Sequence, residues 1–404
     1  MVVDIRARTG GERLEVLKYP QDPSDYLSQT RLRVLHVGKY YPPYRGGMES
    51  HLQVLSQDLR RMVDLKVMVA NDARRTVREI IEGVDVTRVG RLFDFRAAPV
   101  CPELVLKLRA AKADIIHIHW PNPTAVLAYL ASGQSARLVL TYHSDIVRQK
   151  KLAVAFTPIL RHVLSKAAAI VVSSPDYIEG SDILSKFRAR CRVIPFGVSL
   201  DHFDDFDLKE VRRIRERYGP RIVLGVGRLV FYKGFEYLVR AMALVDAHLL
   251  LIGNGPLGSH LRQVASELGV KDRVTFLNEV DDVRPYYHAA DVFALPSIMR
   301  SEAFGIVQLE AMACGKPVIN TQLDSGVTFV SPHGVSGLTV PPAEPAALSH
   351  AINQLLDQPD RRSEMGFGAR QRVAHKFTVE KMIRGIYDLY HDVMSGQWME
   401  NIHS

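Results

Sequence analysis

The sequence predicts two Rossmann-like α/β domains, each wound on a parallel sheet, and three observations lead there. Its 404 residues exceed a single domain of typical size. Short β-branched runs alternate with helix-length segments, the pattern of parallel strands covered on both faces. The alternation occurs twice, with one break between the two series.

Taken in order, residues 1–30 are polar and aperiodic and read as an N-terminal extension. The first series runs RVLHV (33–37), LKVMVA (65–70), DIIHIH (114–119), RLVLTY (137–142) and AAIVVSS (168–174). It breaks over 192–208, where Pro195, Gly197 and clustered aspartates read as a linker. The second runs RIVLGVG (221–227), HLLLIGNG (248–255), RVTFLNE (273–279), DVFALPS (291–297) and KPVINT (316–321). These runs place a first domain at 31–198 and a second at 199–377. Helical apolar spacing at Met382, Ile383, Ile386, Tyr387 and Tyr390 predicts a terminal helix within 378–404 that crosses back onto the first domain.

Composition excludes collagen-like, low-complexity and disordered classes, with 47% hydrophobic and 24% charged residues. The net charge is +8, and residues 1–200 carry 30 basic against 19 acidic side chains, +11, leaving 22 and 25, or −3, for 201–404. A one-sided positive field suits a polyanion, an anionic membrane face or a phosphate-bearing substrate. Cys101, Cys191 and Cys314 are too few and too scattered for a disulfide framework or zinc site, which fits a reducing compartment. No apolar run is long enough to span a bilayer, and the N-terminal stretch lacks the apolar core of a signal peptide. The expected location is cytoplasmic, with peripheral contact to the inner face of a membrane.

The strongest local constellation is SEAFGIVQLEAMACGKPV, 301–318. Glu302 stands in a turn before Gly305, and a helix is expected over about Ile306 to Cys314, whose free first-turn N–H groups suit an anion. Glu310 lies about a turn and a half into that helix, at a suitable reach for ribose hydroxyls. In LGVGRLVFYKGFEYLV, 224–239, Arg228 and Lys233 follow a strand end and are placed to grip a diphosphate; a solvated basic loop is the plainer alternative. GNGPLG (253–258) satisfies a dinucleotide fingerprint, but it follows the second strand of its domain and holds Pro256, so a packing turn is favoured.

In the first domain, Gly46 and Gly47 open a helix with Glu49 in its first turn, which lets a phosphate or acceptor approach the backbone. RLVLTY delivers His143, Ser144 and Asp145 to a carboxyl strand end. His117 and His119 share one sheet face with no third ligand evident, so a structural role is favoured over a metal. The DHFDDFD run (201–207) likewise reads as solvating linker rather than a magnesium site. RQKKLAVAFTPILRHVLSKA (148–167) reads either as an interfacial membrane helix or as an amphipathic cover for the sheet.

These segments together resemble family 4 of the glycosyltransferases, retaining enzymes of the GT-B fold that use nucleotide sugars. The likeness covers nearly everything from Leu32 onward. It rests on GGMES (46–50), HSD (143–145), IPFGV (194–198), GRLVFYKG (227–234), the GNGP turn, the paired glutamates of SEAFGIVQLE (301–310) and GLTVPP (337–342). The resemblance implies two domains facing a cleft, with the donor held mainly by the second and the acceptor by the first. Arg228 and Lys233 would then bind the diphosphate, Glu310 the ribose, and Glu302 with the Ala303–Phe304–Gly305 backbone the donor sugar and phosphates. Residues 276–279 would flank the base, Gly47 would lie near the diphosphate and acceptor, and His143 would line the reacting centre. The catalytic group so implied is His143, Glu302, Arg228 and Lys233.

The family is usually metal-independent and needs no cofactor beyond the sugar donor. Retention is assigned to a same-face displacement in which the leaving phosphate helps deprotonate the acceptor, so no protein nucleophile is required. Two departures stand out: Ser325–Gly326 replaces a Gly-Gly turn, and Phe196 stands where Asn is common. With RSEAFG and TYHSDIVRQK they resemble the branch that builds bacterial polysaccharide and lipid-linked O-antigen, part of lipopolysaccharide. GDP-mannose is the expected donor, a UDP-sugar the alternative, and an NAD(P)-dependent oxidoreductase the remote one. The expected partners are a nucleotide sugar, a lipid-linked or saccharide acceptor and an anionic membrane surface, with no nucleic acid.

Overall fold

The computed structural model describes residues 31–44, 46–95, 98–145 and 150–396. The extension expected at 1–30 and the end of the terminal segment lie outside the described residues, as does Arg148 of the basic stretch.

The first sheet is built from β1 (Arg33–Val37), β2 (Asp64–Ala70), β3 (Val77–Ile81), β4 (Val84–Val89), β7 (Ile115–Trp120), β8 (Arg137–Tyr142), β9 (Ala169–Val172) and β10 (Cys191–Val193). A two-stranded ribbon, β5 (Phe93–Phe95) with β6 (Ala98–Val100), stands apart. The sheet order is β10-β9-β8-β7-β1-β2-β4-β3, and every pairing is parallel except β3 with β4. That antiparallel edge is a departure from the all-parallel expectation. Glu82 and Gly83 both take positive φ, 49° and 80°, the two-residue turn that folds a hairpin back on itself.

The second sheet is formed by β11 (Ile222–Val226), β12 (His248–Ile252), β13 (Val274–Leu277), β14 (Val292–Leu295), β15 (Val318–Thr321) and β16 (Gly337–Val340). Its order, β13-β12-β11-β14-β15-β16, is all parallel and is the Rossmann order 3-2-1-4-5-6. Strand order reverses between β11 and β14 here, and between β1 and β7 in the first sheet. Ligands in open α/β sheets sit outside the carboxyl ends at such switch points.

Among the described residues the apolar side chains gather in three clusters. One covers the outer face of the first sheet and another the outer face of the second. The third joins the inner faces through Ile194, Phe196 and Val198, so the core runs unbroken from one sheet to the other. The helix Lys150–Lys166 places Leu160, Val163 and Leu164 in the outer cluster of the first sheet, so much of its apolar surface is used in covering strands. Among the described residues no helix is long and apolar enough to cross a membrane.

The terminal helix Val379–Ser395 is capped by Thr378 and ends at Gly396. It buries Met382, Ile383, Ile386, Leu389, Tyr390 and Val393. At roughly 1.5–3 kcal/mol for each large apolar side chain, this stripe far outweighs any exposed ion pair and holds the helix down. The Tyr390 hydroxyl reaches His117 and His36 of the first sheet, so the helix does cross back. Both interdomain passages of the chain are tied together where Val198 N–H donates to Phe377 O at 2.9 Å. Gly197 is required at that crossing, because a Cβ there would strike the Thr378 carbonyl.

Candidate active site

The loops after β11 and β14 meet at the switch point of the second sheet. The first turns through Phe231–Lys233 and buries the Lys233 side chain. Its ammonium lies 2.6 Å from Glu302 Oε2, and Ser297 Oγ donates to the same oxygen at 3.0 Å. Burial pulls Lys233 down, but the carboxylates of Glu302 and Glu310 outweigh it and hold the amine above its ordinary value. Arg228, on the same loop, is exposed.

The helix Ile306–Ala313 starts at the end of the loop after β14, the loop that carries Glu302. Glu310 accepts a hydrogen bond from the Tyr287 hydroxyl at 2.6 Å. Burial raises the Glu310 carboxyl, while Tyr287 and Lys233 act against that rise. Across the cleft stands the N-terminus of the helix Gly47–Leu59, and the Cβ position of Gly47 is 4.0 Å from Ile306 Cδ1. Two helix N-termini therefore open on one space, each with unpaired N–H groups and a positive dipole end suited to an anion. Lys39, after β1, lies within electrostatic reach of Arg228; burial lowers its ammonium, Glu49 and Asp94 oppose that, and Arg228 lowers it further. Cations from both domains thus gather around the gap.

His143, 6% exposed at the end of β8, stacks on Phe196 at 5.4 Å between ring centroids, and Phe196 meets Phe304 edge-on at 5.1 Å. An aromatic path so joins His143 to the loop before Gly305. Arg300 lies 3.1 Å from Asp145 and pairs the two domains beside it. A cavity of about 300 Å³ opens there, lined by Trp120, Tyr142, Phe156, Asp182 and Arg300 among others.

The second half of the chain, residues 207–372, matches the profile of glycosyl transferases group 1, and residues 45–202 match that of Glycosyltransferase Family 4. The chain is 33% identical over 365 residues to O-antigen chain mannosyltransferase C of Escherichia coli, covering 89% of this chain and 98% of that one. The chain belongs to glycosyltransferase family 4. It is also 37% identical over 271 residues to D-rhamnosyltransferase WbpZ of Pseudomonas aeruginosa, covering 67% of this chain and 71% of that protein. Among solved structures, sucrose-phosphate synthase from Thermosynechococcus elongatus superposes with a TM-score of 0.75 at 24% identity, over 90% of this chain and 100% of that one. The fold is GT-B.

In this glycosyltransferase the predicted residues Arg228, Lys233, Glu302, Ala303, Phe304, Gly305 and Glu310 lie around one switch point, with Gly47 and His143 on the facing wall. The helix ends at Ala313, with Cys314 as its cap, one residue short of expectation. Lys233 is paired with Glu302 across the two loops, a contact that neither motif shows by itself. Two of the GNGPLG glycines, Gly253 and Gly255, serve packing, whereas Gly258 has room for a side chain. A Cβ at Gly255 would strike the Leu229 carbonyl, and Leu229 N–H donates to Asn254 O at 2.9 Å, so the run locks against the Arg228 loop. Asp204 pairs with Arg370 at 2.7 Å and Asp207 caps a helix by accepting from Lys209 N, so these linker acids stabilise the fold.

The absence of a third ligand expected beside His117 and His119 does not hold. His117 and His119 do have a third imidazole, His36 of the neighbouring strand, and His119 also meets His51 and His143. Strand pairing sets His36 beside His117, so the signal lay in the equal phase of RVLHV and DIIHIH. Sequence reasoning also missed Tyr287, Lys39, the Arg300–Asp145 pair and Phe196 as an aromatic bridge. Each depends on a contact between segments remote in the chain.

Proposed function

We propose that this glycosyltransferase moves mannose from GDP-mannose to a lipid-linked saccharide acceptor, with retention, in the assembly of a cell-surface polysaccharide such as O-antigen. The observation that carries the reading is the pair of facing helix N-termini at Gly47 and Ile306, with Arg228 and the Lys233–Glu302 pair beside them. It is the geometry an anionic diphosphate requires. The near full-length likeness to a mannosyltransferase supports the choice of sugar.

On this reading Arg228, Lys233 and the Ala303–Gly305 backbone neutralise the diphosphate. Glu310 accepts from the ribose while the Tyr287 hydroxyl, donating to its Oε2, holds the carboxylate in place. The C1–phosphate bond breaks and the nucleoside diphosphate leaves with the electron pair. The acceptor oxygen bonds C1 from the same face, and its proton passes to the departing phosphate oxygen. His143 lines the reacting centre. The cavity beside Trp120, Phe156 and Arg300 takes the acceptor, for which aromatic faces and carboxylates are suitable contacts. The residues themselves supply cations to the diphosphate, so the reading calls for no metal or further cofactor. The +11 first half then meets the anionic membrane face that carries the acceptor.

The test is incubation with GDP-mannose, UDP-glucose and NADH in parallel, with a lipid-linked glycan extract as acceptor. GDP release with an α-linked product supports the reading. Turnover with only the UDP-sugar would transfer the enzyme to another donor, and a β-linked product would remove retention.

A further inference from the structure

His143 is the end of a line. Its Nε2 lies 3.0 Å from His119 Nδ1, and His119 Nε2 lies 2.9 Å from His36 Nδ1. His36 Nε2 is 3.0 Å from the Tyr390 hydroxyl, which is 2.6 Å from His117 Nδ1. His117 Nε2 ends the line 2.6 Å from Thr141 Oγ1. All six residues are buried, and burial drives the four imidazoles to their neutral forms.

A neutral imidazole has one N–H and one lone pair. His117, His36 and His119 each use both nitrogens within the line, so each must accept on one side and donate on the other. Tyr390 does the same with its hydroxyl. The direction of any one bond therefore fixes all the others, and only two orderings exist. In one, Thr141 donates and every hydrogen points towards His143, whose Nε2 accepts and whose Nδ1 carries the proton. In the other, all five bonds reverse and His143 keeps a lone pair on Nδ1.

The Thr141 end decides between them. His117 is the only hydrogen-bond partner of its hydroxyl among the described residues. In the reversed ordering that hydroxyl would accept, and its own hydrogen would be buried without an acceptor. An unsatisfied buried donor is disfavoured by roughly tenfold or more.

We propose that Thr141, His117, Tyr390, His36 and His119 form a hydrogen-bond relay that fixes His143 as its Nδ1–H tautomer. Its remaining ring nitrogen then donates to substrate oxygen and does not act as a base. The five are positioning residues, acting through His143. Tyr390 sits on the terminal helix, so the segment that crosses between the domains also sets the protonation pattern of the first domain's wall. The claim about turnover rests on the reading of His143 above; the claim about the tautomer does not.

The experiment is long-range 1H–15N correlation on histidine-labelled full chain, with the His143 signals assigned by His143→Gln. The wild type is expected to show a single Nδ1–H tautomer at His143. Thr141→Val removes the end that sets the direction, and Tyr390→Phe cuts the line. Both are expected to move the His143 nitrogens towards averaged shifts and to lower kcat about tenfold, with donor KM within twofold. Thr141→Ser is expected to restore the wild-type pattern. An unchanged His143 tautomer in either folded variant overturns the relay. So does tight binding of one zinc ion per chain that abolishes the imidazole N–H signals, since the cluster would then be a metal site. A moved tautomer with unchanged kcat would uphold the relay and count instead against His143 lining the reacting centre.

Discussion

Lys233 Nζ lies 2.6 Å from Glu302 Oε2, and both side chains are about nine-tenths buried. The two motifs that read as separate donor contacts are thus one ion pair joining the loops after β11 and β14. Removing one partner strands the other charge in a poorly solvated site. Lys233→Met is expected to cost about 3–5 kcal/mol of stability. Part of that loss, about 1–3 kcal/mol, should return in Lys233→Met/Glu302→Gln, where no charge is left alone. Denaturant titration of the four proteins checks the coupling, and additive losses would mean that the pair does not interact. Turnover should remain depressed by about 100-fold in the double variant, because the donor has lost its cation.

Glu310 titrates above its ordinary value because burial disfavours the carboxylate. A raised acid pKa means that the folded chain holds its proton more tightly than the unfolded one, so Glu310 lowers stability once pH exceeds the ordinary glutamate range. Glu310→Gln is expected to raise the melting temperature at pH 7.5 and to leave it nearly unchanged at pH 4. Its KM for donor should rise about tenfold if the carboxylate holds the ribose. Melting curves at the two pH values check the first expectation and initial rates the second.

Gly197 packs where a Cβ would meet the Thr378 carbonyl, at the double passage between domains. Gly197→Ala forces that crossing apart and is expected to cost roughly 1–3 kcal/mol. Equilibrium unfolding checks this against Gly258→Ala as control, where a Cβ would make only ordinary contact with Leu229 and no left-handed φ is involved.

Five buried imidazoles make the fold sensitive to acid. His36 and His51 are pushed down to about 3 by burial, and His117, His119 and His143 are lowered by burial and by one another or by neighbouring imidazoles. The unfolded chain takes up protons near pH 6.5 that the folded cluster refuses, so stability falls as pH drops from there towards 3. Each histidine contributes up to about 1.4 kcal/mol per pH unit in that window. Melting temperature against pH should fall steeply below 6.5, and His51→Gln should flatten the slope.

Much of this architecture was legible in the chain because strand periodicity is local. RIVLGVG and HLLLIGNG announce themselves by composition, and the glycines after them mark where backbones touch. Glu302, Gly305 and Glu310 were readable because one short segment fixes their spacing. The hidden part consists of pairings between distant segments. That Lys233 meets Glu302, that Tyr390 reaches His36 across 354 residues, and that Phe196 bridges His143 and Phe304 are set by packing, and no window of sequence contains both partners. The β3–β4 hairpin was missed for another reason: its two-residue turn is Glu82–Gly83, and glutamate is a poor advertisement for positive φ.

The most direct test of a nucleotide-sugar site at the facing helix ends is a thermal-shift panel of GDP, UDP, ADP, TDP and NADH on the wild type and Arg228→Ala. A ligand at 100 times its Kd stabilises by about 2.7 kcal/mol. GDP is expected to give the largest shift in the wild type, and Arg228→Ala to abolish most of it. A shift with NADH alone, or a GDP shift that survives Arg228→Ala intact, would contradict a nucleotide-sugar site at these helix ends.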